Sequence, residues 1–169
     1  MVNLTYAVEV CTEHIELWSL LNFLVKIKDD EDNINVLVDT TKNNLNVQIV
    51  LANFSDKITI CNREFDGNFA DHRNYHITQC SGDYIFMIDA DEMPQEYLIK
   101  NIKQAILSSG SDLLYIPRMN LCTGYTDEWL KKSNFVVNEV GWINWPDYQG
   151  RVFKNDKGIL WGRHLHEKV

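Results

Sequence analysis

Three carboxylates stand together at the end of one apolar run. In SGDYIFMIDADEMP, Ser81 to Pro94, the apolar and aromatic residues Tyr84 to Ile88 are followed by Asp89, Asp91 and Glu92. Residues i and i+2 of a strand point the same way, and a turn at the strand end can converge Asp89 and Asp91 on one ion. Carboxylate oxygens are hard donors and suit Mg2+ or Mn2+ better than zinc. Such a cation keeps several waters and shares its remaining positions with phosphate oxygens. The same acids can also do no more than begin the next helix, where Asp and Glu complement the helix dipole.

What separates these readings is the element that delivers the acids. Leu4 to Val10 reads as a strand. In HIELWSLLNFLVKI, Leu17, Leu20, Leu21 and Leu24 recur at i, i+3, i+4, i+7, one face of a helix. Ile34 to Val38 is a short apolar strand ending at Asp39, NVQIVLANF reads equally as strand or short helix, and Lys57 to Cys61 as a brief strand. A helix is expected from about Ala70 to Cys80, ended by Gly82 as a residue tolerant of positive φ. After the acids, Pro94 suits a first helical turn, Leu98, Ile102, Ala105 and Ile106 mark a buried face, and Leu113 to Pro117 is another strand.

Continuous apolar strands alternating with amphipathic helices predict an α/β fold whose mostly parallel sheet is covered on both faces. In such sheets ligands bind beyond the carboxyl ends of the strands. Asp89 and Asp91 occupy one such end, and Asp39 stands at another, able to accept a hydrogen bond from a ribose or base. After Pro117 the pattern turns irregular and aromatic, with Trp129, Trp142, Trp145 and Trp161. The expected organisation is one domain, 1–169, with a nucleotide-type half at 1–117 and an acceptor or metal-closing half at 118–169.

The net charge of −8 and the lack of a basic patch argue against a general nucleic-acid binder. No apolar run approaches the roughly 20 residues of a membrane helix, and the N-terminus has no signal-type pattern. A cytoplasmic location is therefore expected. Cys11, Cys61, Cys80 and Cys122 show no CxxC spacing, so reduced and mostly buried thiols are expected.

From Gly67 to Pro94 the chain resembles family 2 glycosyltransferases of the GT-A fold. The resemblance rests on Arg73-Asn74 at a helix start, Gly82-Asp83 before an apolar strand, and the D-x-D acids Asp89-Ala90-Asp91, with Glu92 following. From Tyr148 to Glu167 it is similar to one branch of that family through Arg151-Val152-Phe153, Trp161-Gly162 and His166-Glu167. The second strand departs from the family's usual paired acids, having Asp39-Thr40.

The resemblance implies transfer of a sugar from a nucleotide-diphosphate donor, UDP-linked by expectation, to a hydroxyl of a glycan, lipid or protein acceptor. It implies a Mn2+ or Mg2+ cofactor held by Asp91 and His166, with His164 as rival, and Asp89 on the ribose or the metal's waters. Arg73 would pair with the diphosphate or orient an acid, and Glu9 and Thr12 would lie where the family grips the nucleotide base. An inverting transfer needs a general base. Asp147 is favoured because it directly precedes the R-x-F run among aromatics, over Asp127, Glu128 and Glu139. The alternative is a nucleotide-sugar-binding module with weak or hydrolytic activity.

Overall fold

A computed structural model describes residues 2–156 and 158–163. His164 and His166 therefore lie outside the described residues. Six strands form one sheet in the order β3-β2-β1-β4-β6-β5. They are β1 (Leu4–Val10), β2 (Asn33–Asp39), β3 (Thr59–Arg63), β4 (Tyr84–Asp89), β5 (Leu113–Asn120) and β6 (Ile143–Lys154). Five helices intervene: α1 (His14–Ile27), α2 (Leu45–Asn53), α3 (Phe69–Thr78), α4 (Glu96–Ser109) and α5 (Asp127–Ser133). β1 through β4 are parallel, and β6 returns antiparallel to β4.

The alternation of each strand sorts its residues between two faces. Ala7 of β1 and Ile85 and Met87 of β4 pack with Ala70 and Ile77 of α3, Phe153 of β6 and Trp161. Tyr6 and Phe86 point the other way, their rings 6.0 Å apart, toward the face where α1 packs with α2 and α4. α1 buries Leu17, Leu20, Leu21 and Leu24, as its spacing predicts. α4 buries Ile99, Ile102 and Ile106. Ala105, expected on that face, is exposed, because the stripe follows Ile99 rather than Leu98.

Three local expectations are revised. The ambiguous NVQIVLANF is helix α2, capped by the Asn44 side chain, which accepts from the amides of Asn46 and Val47. β3 begins two residues later than expected, at Thr59. Gly82 does not close α3 with a positive φ; α3 ends at Thr78. Gly82 instead lies against β1, where a Cβ would come within 2.6 Å of the Thr5 nitrogen, and its amide donates to Thr5 Oγ1. Proximity, not backbone freedom, requires glycine there.

The chain divides into two compact units, one of residues 1–114 and 151–169, the other of residues 115–150. The second carries α5 and parts of β5 and β6, so the segment expected to be irregular contains ordered elements. Trp129 meets Phe135 edge-on, and Trp142 meets Trp145. All four cysteines are free thiols; Cys61 is buried and Cys122 exposed. Among the described residues no helix is long and apolar enough to cross a membrane.

Candidate active site

β1 and β4 run side by side in a register that pairs Glu9 with Asp89. Continuing the alternation Ala7-Glu9 and Ile85-Met87-Asp89, both acids emerge on the face covered by α3. α3 supplies the counter-charges: Arg73 and His76, three apart, share one side of the helix.

Arg73 Nη2 donates to Asp89 Oδ1 at 2.9 Å, and Arg73 Nε lies 3.5 Å from Glu9 Oε2. His76, fully buried, has Nδ1 3.5 Å from Glu9 Oε1 and Nε2 3.0 Å from Asn35 Oδ1. The Arg73 guanidinium also lies over the Trp161 ring, 4.6 Å from its centroid. The next residue, Asn74, fastens the same tryptophan. Its amide donates to the Trp161 carbonyl at 2.9 Å, and its Oδ1 accepts from the Trp161 amide at 2.8 Å.

Arg151, at the start of the buried end of β6, completes the arrangement. Its Nη2 donates to Asp89 Oδ2 at 3.0 Å and also to Glu92 Oε1. Burial pushes the Arg151 guanidinium toward losing its proton, but Asp89 and Glu92 outweigh burial and hold it more firmly charged than usual. Glu92 Oε2 accepts from the Asp89 amide at 3.2 Å, while the Glu92 amide donates to the Asp89 carbonyl at 2.9 Å. Asp91 is exposed, and among the described residues it makes no hydrogen bond or ion pair.

Asp39 ends β2. Its Oδ1 accepts from the Thr41 amide and hydroxyl and from the Phe65 amide. Burial pushes its carboxyl up, but those hydrogen bonds prevail and hold it below the ordinary range. Thr12 lies in the turn after β1, where Glu13 Oε2 accepts from the amides of Cys11 and Thr12.

Asp147 belongs to the other compact unit. Its Oδ2 accepts from Arg118 Nη2 at 2.8 Å and from Asn120 at 3.0 Å, and its Oδ1 accepts from Gln149 at 2.7 Å. Burial raises its proton affinity, but Asn120, Arg118 and Gln149 prevail, keeping the carboxyl below the ordinary range.

The structure thus gathers Glu9, Arg73 and Asp89 and adds His76, Arg151 and Glu92. The sequence marked Glu92 without a role, and Arg151 only as part of a motif. What could have revealed the pair is that the apolar residues Val152 and Phe153 follow Arg151 directly, which makes it an arginine at a buried position that needs a carboxylate partner.

The fit of a divalent cation can be judged from these groups. No cluster of three or more His, Cys, Asp or Glu among the described residues forms a ready-made metal cage. A Mg2+- or Mn2+-type ion bound through substrate phosphates needs only one or two carboxylates. Asp91 offers one, at the tip of the sheet and not engaged by either arginine.

The family model for glycosyl transferase family 2 matches residues 15–165. The chain belongs to that family.

Several solved structures share the domain's fold. S. aureus TarS 1–349 superposes over the whole of this chain and 52% of its own, with TM-score 0.64 and 19% identity. A complex of the same TarS fragment contains UDP-GlcNAc. Mannosyltransferase PcManGT from Pyrobaculum calidifontis, in complex with GDP-Man and Mn2+, matches over 68% of this chain and 35% of its own, with TM-score 0.57 and 15% identity. Glucosyl-3-phosphoglycerate synthase from Mycobacterium tuberculosis, in complex with Mn2+, UDP and glucosyl-3-phosphoglycerate, matches over 66% and 42%, with TM-score 0.53 and 14% identity. The chain spans about half the length of the TarS fragment. A search of curated protein sequences finds no significant match.

Proposed function

We propose that this family 2 domain transfers a sugar from a nucleotide-diphosphate sugar, with UDP as the nucleotide, to an acceptor hydroxyl, with inversion and with Mn2+ or Mg2+. The observation that carries the proposal is the charge balance at the β1–β4 edge. Among the described residues, Glu9, Asp89, Asp91 and Glu92 bring four carboxylates there, against two guanidiniums, Arg73 and Arg151, that pair with Asp89. A diphosphate approaching such an edge is repelled unless a cation accompanies it.

When bound, the cation offsets the charge that grows on the departing nucleoside diphosphate. Asp91 would be its protein ligand, with His166, which lies outside the described residues, as the second. Asp89, oriented by both arginines, accepts from a ribose hydroxyl or from the cation's waters. Arg73 acts by orienting Asp89 rather than by holding phosphate. Glu9 supports Arg73 from behind, and Asp39 faces the ribose or base from the tip of β2.

Asp147 takes the acceptor's proton. It is ionised at neutral pH, as a base must be, and its low proton affinity makes it a modest one. That modesty is the observation favouring the second reading, a domain that binds donor and releases sugar weakly or to water.

The UDP assignment is supported by three structures similar to this chain that hold UDP or a UDP-sugar. The test is a thermal-shift panel of nucleotide sugars with and without Mn2+, since a ligand bound to the folded state raises its stability as RT ln(1 + [L]/Kd). A UDP-sugar that stabilises the protein only with Mn2+ is the expected result. No nucleotide sugar shifting the transition in either condition would sink the proposal. Acceptor-dependent release of UDP then separates transfer from hydrolysis.

A further inference from the structure

Both faces of the Glu92 carboxylate point at donors. Oε1 accepts from Arg151 Nη2, and Oε2 accepts from the Asp89 amide. The Glu92 amide in turn donates to the Asp89 carbonyl. Residues 89 to 92 are thereby closed into a turn from both ends, and Arg151 ties that turn to β6 by pairing with Asp89 and Glu92 at once. Asp91 is the remaining acid of the turn, exposed and unengaged by these groups.

We infer that Glu92 is a positioning residue for the cation: it fixes the turn so that Asp91 presents its carboxylate outward. The inference rests on the metal-dependent reading above. It also explains why this position needs a carboxylate rather than an amide. Two donors, Arg151 Nη2–H and the Asp89 N–H, require two acceptor oxygens. A glutamine offers one oxygen and one NH2, so whichever way it turns, a donor faces a donor. Aspartate is one methylene too short to reach both.

Groups that orient a metal ligand alter metal affinity by about 10- to 100-fold when removed. The experiment titrates Mn2+ into the protein in the presence of excess UDP, following free Mn2+ by its paramagnetic resonance signal. Wild type, Glu92→Gln and Asp91→Asn are compared, with amide hydrogen exchange of residues 89–92 measured without metal. Glu92→Gln is expected to weaken Mn2+ binding at least tenfold and to speed exchange at the Asp89 amide. Asp91→Asn is expected to abolish Mn2+ binding with exchange at Asp89 unchanged.

Unchanged Mn2+ affinity in Glu92→Gln, with wild type binding and Asp91→Asn not, overturns this inference and leaves the metal-dependent reading standing. Wild type failing to bind Mn2+ with UDP overturns that reading, and this inference with it. If Glu92→Gln proves unstable, Arg151→Lys serves as the second variant. It keeps the charge, but its ammonium ends about one bond short of the Nη2 position that contacts both Asp89 and Glu92, and it must weaken Mn2+ binding for the inference to stand.

Discussion

Arg73 on α3 and Asp89 on β4 meet at 2.9 Å, with the arginine side chain almost wholly buried. This pair joins the helix to the acid-tipped strand, and the Trp161 ring lies beneath the same guanidinium. Removing one partner of such a pair leaves the other charge uncompensated. Arg73→Ala is expected to cost about 3 kcal/mol, at the low end for a buried pair because Arg151 still contacts Asp89. Arg73→Lys should recover only part of it, since an ammonium cannot pair with Asp89 and stack on Trp161 together. Urea denaturation of the three proteins decides the matter; a loss under about 1 kcal/mol in Arg73→Ala would contradict it.

Asp91 should behave in the opposite way. Because it is exposed and makes no hydrogen bond or ion pair among the described residues, Asp91→Ala is expected to change metal-free stability by no more than about 0.5 kcal/mol. Its Mn2+-dependent stabilisation by a UDP-sugar should vanish. Melting curves in EDTA and in Mn2+ with donor separate the two effects.

Asn74 brackets the Trp161 backbone with one donor and one acceptor. Asn74→Asp keeps the acceptor for the Trp161 amide but turns a carboxylate oxygen toward the Trp161 carbonyl. A loss of about 1–3 kcal/mol is expected from the unsatisfied carbonyl, with faster hydrogen exchange around Trp161. Exchange unchanged at Trp161 would show the bracket to be dispensable.

Asp147 carries a signed pH prediction. Its carboxyl is held below the ordinary range, burial opposing and Asn120, Arg118 and Gln149 prevailing. A depressed folded-state value means the unfolded chain takes up the proton first. The stabilisation is therefore present above the unfolded value, about 3.9, and is lost as pH falls through the lower folded value. Asp147→Asn should be less stable than wild type at neutral pH, and the gap should close on acidification below about pH 4. Denaturation midpoints measured from pH 7 downward test this; a gap that widens in acid would refute it.

The first half of the chain was largely legible because its signals are local. An apolar run followed by acids places Asp89 and Asp91 at a strand tip, and leucine spacing places α1. The helix α2 was ambiguous from its apolar pattern, yet Asn44 before it was a readable cap. The support of the site was much less legible. Arg151 lies 62 residues from Asp89 and His76 lies 41 from Asn35, so only the sheet order brings them together. β6 escaped notice because Pro146 and Gly150 interrupt it and its outer residues are mostly exposed.

Gly82 carries a consequence for how errors are excluded. The two strands that carry Glu9 and Asp89 near their carboxyl ends are pressed together at their other end, where Gly82 touches the backbone of Thr5. If β4 slipped by one residue against β1, its side chains would change faces. Asp89 would then turn away from Arg73 and toward the face lined by Tyr6 and Phe86. The glycine works as a mechanical stop: the absence of a side chain at one end of β4 keys which carboxylate appears at the other.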